Sequence, residues 1–255
     1  MPMSTKYGSA KYWNDRYTQD RTDFDWLEDY DTLAPLFDEV LPKESKILMV
    51  GCGNAKLSEQ MYVCGYHNIH NMDISDVVIT QMTELHADKP GMTWEIMDST
   101  NMTYESNSFD CVIDKSTLDS ILCGDDGYLN AIKTVNETHR VLDQGGIHIY
   151  VSYGTPDQRL KYLNGPHLGF STEFFELAKQ GHREDFMSIL IAGPITQIFH
   201  YVYVSVKLEG ADQKFVENWN LEEHVKINDD YNSKKVSIDA EMLTHDGFYD
   251  VKKSE

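Results

Sequence analysis

The chain of 255 residues lacks any apolar run that approaches the roughly 18–20 residues of a membrane span, and its first ten residues contain no apolar signal-peptide region. It also lacks a C-x-x-C pair, although it has four cysteines. Thiols in a chain without a secretory signal are expected to stay reduced. These absences predict a cytoplasmic protein with no membrane partner.

Two kinds of site are disfavoured by missing motifs. The ten histidines show neither H-x-x-x-H nor H-E-x-x-H spacing, so we expect no metal site. No Walker lysine–serine or lysine–threonine pair follows the glycine-rich stretch near residue 51. A nucleoside triphosphate is therefore not the expected ligand.

Basic residues are scarce: 22 Lys and Arg stand against 42 Asp and Glu, which gives a formal net charge of −20. An acidic surface repels phosphate backbones, so we expect no nucleic-acid partner. The same surface favours a basic protein partner. A need for solubility, without any basic partner, would explain such a net charge equally well.

Apolar runs alternate with helix-like segments through the first 153 residues. The predicted strands are 46–50, 68–73, 92–98, 109–115 and 147–153. The predicted helices between them are 55–66, 75–89 and 127–146. This alternation predicts an α/β, Rossmann-like, doubly wound sheet with five parallel strands.

The alternation of predicted strands and helices stops after residue 153. A short helix is predicted at 171–181, and two strands at 186–192 and 197–208 are separated by only four residues, which permits only an antiparallel hairpin. The expected sheet is therefore seven-stranded. We expect an N-terminal lid and helix at 1–45, the main domain at 46–208 and a polar tail at 209–255.

The first predicted strand ends in a glycine turn, in the stretch KILMVGCGNAKLS, and Asp73 ends the second strand 22 positions after Gly51. This spacing suits a carboxylate that binds ribose hydroxyls. A dinucleotide site would have a third glycine where Lys56 stands. A ligand with a nucleoside but no phosphate fits better, and S-adenosylmethionine is the obvious one.

Several motifs carry a resemblance to a known family. VGCGN, MDIS and EIMDSTNM resemble the class I, seven-strand methyltransferases. KYWNDRYTQDRTDFDWLEDY (11–30) and DKSTLDSIL (114–122) resemble the eukaryotic elongation factor 1-alpha lysine methyltransferases, with Ser116 in the place of a usual glycine. The resemblance implies S-adenosylmethionine as cofactor, S-adenosylhomocysteine as product and a basic protein such as elongation factor 1-alpha as substrate.

The expected cofactor contacts combine spacing with this resemblance. Gly51 and Gly53 would let backbone approach the methionine part, Asp73 would accept the ribose hydroxyls, and Ile74 would pack on adenine. The resemblance adds Asp98, with Ser99, at the adenine edge. It also adds contacts from an N-terminal lid, made by Trp13, Tyr17 and Trp26. A last contact, Lys115, comes from the loop of the fourth strand.

Asp119 and Tyr153 are the predicted catalytic residues: Asp119 would orient the acceptor amine, and Tyr153 would line its channel. No D/N-P-P-Y/W motif follows the fourth strand, so amino groups of adenine or glutamine are not expected acceptors. A small-molecule methyltransferase and a non-catalytic methyltransferase-like binding module stay open as alternatives.

Overall fold

The computed structural model describes residues 6–178 and 199–211. Within them the chain forms seven strands and seven helices. The strands are β1 Ile47–Val50, β2 Ile69–Asp73, β3 Met92–Ile96, β4 Phe109–Lys115, β5 Leu142–Ser152, β6 Phe170–Ala178 and β7 Phe199–Lys207. The helices are α1 Ala10–Gln19, α2 Tyr30–Val40, α3 Leu57–Val63, α4 Asp76–Leu85, α5 Thr117–Leu122, α6 Gly127–Val141 and α7 Pro156–Leu163.

All seven strands belong to one sheet in the order β3-β2-β1-β4-β5-β7-β6. Strands β1 to β5 are parallel, and β7 pairs antiparallel with both β5 and β6. The predicted α/β fold with five parallel strands and an antiparallel C-terminal pair is confirmed. The strand order reverses between β1 and β4, which is where doubly wound sheets bind ligands.

Both faces of the sheet are covered, which explains why β1 is apolar at every position. Ile47 and Met49 pack in the cluster that contains Phe37 of α2. Leu48 and Val50 point the other way into a second cluster. This two-residue alternation holds the sheet rigidly between two cores, so the loops at its carboxyl edge are well positioned.

One predicted helix is wrong, because residues 170–178 form the edge strand β6. Its register places Phe174 opposite Tyr203 and Thr172 opposite Ser205, and the hydroxyls of the second pair lie 2.9 Å apart. Cross-strand partners of this kind favour the strand over the helix that the isolated segment suggests. The antiparallel partner of β7 is therefore β6, and the strand predicted at 186–192 lies outside the described residues.

The helix predicted at 127–146 ends earlier, at Val141, and β5 begins at Leu142. The reason is a tertiary contact from β7: the fully buried Lys207 ammonium donates to the carbonyl oxygens of His139 (2.9 Å) and Leu142 (2.7 Å). A cation that binds the last carbonyls of a helix stabilises its end. The sequence of the helix alone does not contain this information.

Among the residues that the structure describes, no helix combines the length and the apolar character needed to cross a membrane. The same residues contain no group of three or more His, Cys, Asp or Glu side chains that could hold a metal ion.

Candidate active site

A cavity opens at the carboxyl ends of the central parallel strands, at the reversal of strand order. All ten residues that the sequence predicts as cofactor contacts line it. They are Trp13, Tyr17, Trp26, Gly51, Gly53, Asp73, Ile74, Asp98, Ser99 and Lys115. The two predicted catalytic residues, Asp119 and Tyr153, are not among the described residues that line it.

The glycine turn after β1 has a structural cause within the protein, in addition to the predicted approach of a cofactor. Gly51 and Gly53 have φ angles of 62° and 52°, in the left-handed region that favours glycine. A Cβ at Gly51 would collide with the Thr117 side chain, and one at Gly53 would lie 2.7 Å from the Tyr17 hydroxyl. The turn is therefore tight against the protein itself, and its backbone forms part of the cavity wall.

Asp73 is fixed at the end of β2 by two backbone amides. Its Oδ2 accepts from Gly53 N at 3.0 Å and its Oδ1 from Ser75 N at 2.9 Å. Burial raises the pKa of this carboxyl above its usual value, and the hydrogen bonds from the two backbone amides oppose that shift. Each carboxylate oxygen has a second lone pair, so Asp73 can accept two ligand hydroxyls as well.

The next strand end supplies a second polar group. Asp98 Oδ1 accepts from the backbone N and the hydroxyl of Thr100, each at 2.8 Å, so the carboxylate is held by its own turn. Ser99 is engaged with the Thr134 hydroxyl at 3.0 Å. Ile74 keeps 40% of its surface exposed, which makes it an apolar platform for a planar ring.

An aromatic wall built from the N-terminal segment closes the cavity on one side. The Trp13 indole stacks on Tyr17 at 5.9 Å and meets Trp26 edge-on at 6.3 Å. Its Nε1 donates to the Tyr7 carbonyl at 2.8 Å, which fixes the ring. Aromatic faces attract cations and exclude water, so this wall suits a sulfonium.

Lys115 ties that wall to the sheet. Its Nζ donates to Asp25 Oδ1 at 2.8 Å and to the Trp26 carbonyl at 2.7 Å. Burial lowers the pKa of the Lys115 ammonium, and Asp25 opposes the shift. Asp25 Oδ2 also accepts from Lys56 N at 3.2 Å, so one carboxylate joins the loops after β1 and β4.

Asp119 lies beneath the cavity rather than at its mouth. Its side chain is fully buried, and it accepts from Tyr150 OH, from Ser152 Oγ (2.6 Å) and from Tyr153 N (3.0 Å). Arg159 pairs with it at 3.1 Å. Asp119 lies in α5 and its side chain contacts β5 and the residue that follows it. The carboxylate therefore anchors this segment and does not line the cavity.

Tyr153 packs against a buried histidine–glutamate pair and does not line the cavity. Its ring meets His200 edge-on at 4.8 Å, and His200 Nδ1 lies 2.6 Å from Glu28 Oε1. The backbone amide of Tyr153 is the group that Asp119 holds. The catalytic roles of Asp119 and Tyr153 stay predictions, and any effect of Asp119 on an acceptor would have to act through neighbouring residues.

The sequence reasoning missed two residues of the site. Asp25 stands in D-F-D-W, where the pattern does not distinguish which carboxylate reaches the sheet. Ser116 lines the cavity with a φ of 69°, and its only sequence signal is that it replaces a glycine of the resembled motif.

The donor set fits S-adenosylmethionine. A buried carboxylate at the end of β2 suits a ribose diol, an exposed isoleucine beside it suits adenine, and the aromatic wall suits a sulfonium. No Walker lysine–serine pair follows the turn of Gly51 and Gly53, as a triphosphate site would need, and Lys56 stands where a dinucleotide site would have a third glycine.

Comparison with known proteins agrees with this geometry. Residues 48–150 match the methyltransferase domain family Methyltransf_11. The eEF1A lysine and N-terminal methyltransferase of Xenopus laevis is 38% identical over 157 residues, 60% of this chain, and the chain spans 23% of that protein's length. The EEF1A lysine methyltransferase 4 of Bos taurus is 31% identical over 175 residues, which cover 65% of this chain and 69% of that protein.

The fold also matches solved structures. The N-methyltransferase NodS from Bradyrhizobium japonicum, crystallised with S-adenosylhomocysteine, superimposes with a TM-score of 0.54 at 11% identity, over 77% of this chain and 98% of NodS. Taken with its relatives, the chain belongs to the family of the EEF1A lysine methyltransferase 4 proteins.

Proposed function

We propose that the chain is a protein-lysine N-methyltransferase that acts on a basic protein such as elongation factor 1-alpha. The observation that carries this proposal is the match to the bovine EEF1A lysine methyltransferase 4 over 69% of that protein's length. The net charge of −20 supports it, because an acidic surface attracts a lysine-rich segment.

The cavity supplies alignment and exclusion of water. When bound, S-adenosylmethionine supplies a methyl group already activated on a sulfonium, so no strong general acid is needed. Asp73 and Asp98 would hold the nucleoside end, while Trp13 and Trp26 would shield the reacting end from water. Such positioning makes a bimolecular reaction effectively unimolecular.

The acceptor lysine must be neutral to attack. With a reference pKa of about 10.4, roughly one amine in a few thousand is neutral at pH 7. Loss of water around the amine in the cavity disfavours its charged form and lowers the pKa of the acceptor lysine. The neutral nitrogen would then offer its lone pair to the methyl group that bound S-adenosylmethionine supplies, and solvent would take up the proton that the amine releases.

The test is methyl transfer from tritiated S-adenosylmethionine to purified elongation factor 1-alpha, followed by mass spectrometry of the labelled peptides. We expect label on a lysine with the wild-type protein and none with Asp73→Ala. Label that appears only on small molecules from a cell extract would overturn the protein-substrate proposal and favour a small-molecule methyltransferase. A wild-type protein that binds S-adenosylhomocysteine but transfers to neither would leave the binding-module alternative.

We further propose that the enzyme works in the cytoplasm. The four cysteines, among them the cavity-lining Cys52, form no disulfide with one another, which suits a reducing compartment. Fractionation of cells that express the tagged full-length protein checks this, and enrichment in an organelle fraction would contradict it.

A further inference from the structure

Ser116 occupies a backbone position that favours glycine. It follows β4 with φ 69° and ψ 3°, in the left-handed region. A side chain at such an angle is strained, whereas glycine is not. The backbone itself is well held: Ser116 N donates to the Val151 carbonyl at 2.9 Å, and Ser116 O accepts from Ser120 N at 3.1 Å and Ser120 Oγ at 3.0 Å.

The Ser116 hydroxyl carries a second cost. The residue is 3% exposed, and its Oγ finds no hydrogen-bond partner within the described part of the chain. A buried hydroxyl without a partner destabilises the folded state. Glycine would remove the strain and the unpaired group together, so the serine side chain is unfavourable for the protein without ligand.

The location of Ser116 indicates what the hydroxyl serves. It lines the cavity beside Lys115 and Thr117, on the β4 side of β1. The described carboxylates that line the cavity, Asp73 and Asp98, lie on the opposite side, at the ends of β2 and β3. Since those two suit the nucleoside, the β4 side is where methyl transfer takes place.

A hydroxyl suits the reacting amine better than a carboxylate does. A carboxylate would stabilise the ammonium form, which has no lone pair for attack. A hydroxyl oxygen can accept one N–H of the neutral amine and leave the nitrogen lone pair directed at the methyl group. The nearby carboxylates do not interfere: Asp25 is paired with Lys115, and Asp119 with Arg159.

We propose that Ser116 Oγ accepts a hydrogen bond from the acceptor amine and aligns its lone pair for methyl transfer. This inference rests on the proposed lysine methyltransferase function. Ser116 is then a substrate-binding residue, present at the expense of stability in the protein without substrate.

The test uses Ser116→Ala and Ser116→Gly, with Asp126→Gly as the matched control. Asp126 has a similar left-handed φ of 54° but is exposed and outside the cavity lining, and as the N-cap of α6 it makes no side-chain cap hydrogen bond, so glycine there relieves the same kind of backbone strain without touching the cavity. Three quantities are measured for each variant: the melting temperature, the Kd for S-adenosylhomocysteine, and kcat/KM for the lysine substrate that the wild type methylates.

We expect both Ser116 variants to melt at or above the wild-type temperature and to bind S-adenosylhomocysteine within about twofold of wild type. Their kcat/KM should fall about tenfold, the worth of one hydrogen bond in a buried site. Asp126→Gly should raise the melting temperature and leave kcat/KM unchanged.

Three results would overturn the inference. A Kd for S-adenosylhomocysteine that rises about tenfold would assign the hydroxyl to the α-amino group of the cofactor instead. An unchanged kcat/KM, or a lower melting temperature in both variants, would make Ser116 purely structural. Failure of the wild type to methylate any lysine would overturn the proposed function itself, whereas equal lysine methylation by wild type and Ser116→Gly would overturn only this inference.

Discussion

The two sides of the cavity use acidic residues in opposite ways. At the ends of β2 and β3, the carboxylates of Asp73 and Asp98 line the cavity and are held by amides of their own turns. At the end of β4, Asp114 and Asp119 lie beneath the cavity and are used inside the protein. The difference follows from the chemistry, because ribose hydroxyls need acceptors, whereas an attacking amine must stay neutral.

The largest expected effect concerns the β4 side, in the variant Asp119→Ala. Removing this carboxylate breaks the buried ion pair with Arg159 and takes the acceptor from Ser152 Oγ and Tyr153 N, so we expect the free energy of unfolding to fall by about 3–5 kcal/mol. Urea unfolding measures this loss. Asp125→Ala, an exposed substitution in the following loop, should change stability by less than about 0.5 kcal/mol.

Asp119→Ala also tests the catalytic role that the sequence predicts for this residue. If the variant keeps wild-type stability and loses only turnover, Asp119 acts in catalysis and the contrast between the two sides is wrong.

On the nucleoside side, Asp73→Ala should weaken S-adenosylhomocysteine binding by about 100-fold, because two charge-assisted hydrogen bonds to the ligand are lost. It also leaves the amides of Gly53 and Ser75 without their acceptor. Calorimetric titration measures the affinity. The exposed Asp88→Ala at the end of the neighbouring helix should bind like wild type, and equal affinity in Asp73→Ala would exclude Asp73 as the ribose acceptor.

The aromatic wall should depend on Lys115. In Lys115→Met the ties to Asp25 and to the Trp26 carbonyl are absent, so we expect about tenfold weaker S-adenosylhomocysteine binding and faster chymotrypsin cleavage before residue 30. Lys11→Met, which removes an exposed pair with Asp15, serves as control. Unchanged cleavage in Lys115→Met would show that the wall is held by packing alone.

The smallest expected effect is a pH dependence from Asp114. Burial, followed by the charge of Asp119, raises the pKa of Asp114 to about 8, well above the 3.8 of an ordinary aspartate. The folded state therefore holds a proton that the unfolded state has released, so stability falls as the pH rises towards 8. The slope is at most about 1.4 kcal/mol per pH unit for one proton.

Unfolding by urea at pH 6.5, 7.0 and 7.5 measures this slope, and Asp114→Asn should reduce it. Burial lowers the pKa of His148 to about 4, so His148 contributes to the slope with the opposite sign and mainly below pH 6.5. The slope between pH 6.5 and 7.5 therefore reports mainly on Asp114. A slope that is the same in wild type and Asp114→Asn would mean that Asp114 is ionised in the folded protein.

Much of the site could be predicted because its residues lie at strand ends. The carboxyl ends of neighbouring parallel strands meet at one edge, so Gly51, Asp73 and Asp98 converge whenever the strand order is right. The start of the helix predicted at 75–89 is also a local feature, because the Ser75 side chain caps it by accepting from Val78 N. The positions of Gly51 and Asp73 needed only short-range spacing and the alternation of elements, whereas the role of Asp98 was implied by the family resemblance.

Other features escaped because they depend on contacts between distant segments. The edge strand β6 is defined by pairing with β7, although its isolated sequence suggests a helix. The end of α6 is set by Lys207, which lies 65 residues beyond Leu142. Which way Asp119 points depends on Arg159, 40 residues later.

The amino-acid sequence by itself determined the class of fold, the nucleoside side of the cavity and the charge of the surface, because these follow from periodicity, spacing and composition. Tertiary structure alone decided the arrangement on the β4 side of the cavity. Lys115 meets Asp25 across 90 residues, Asp119 lies outside the cavity lining, and Ser116 carries a buried hydroxyl without a partner among the described residues. Side-chain direction and pairing emerge only when distant segments pack together, so no local pattern contains them.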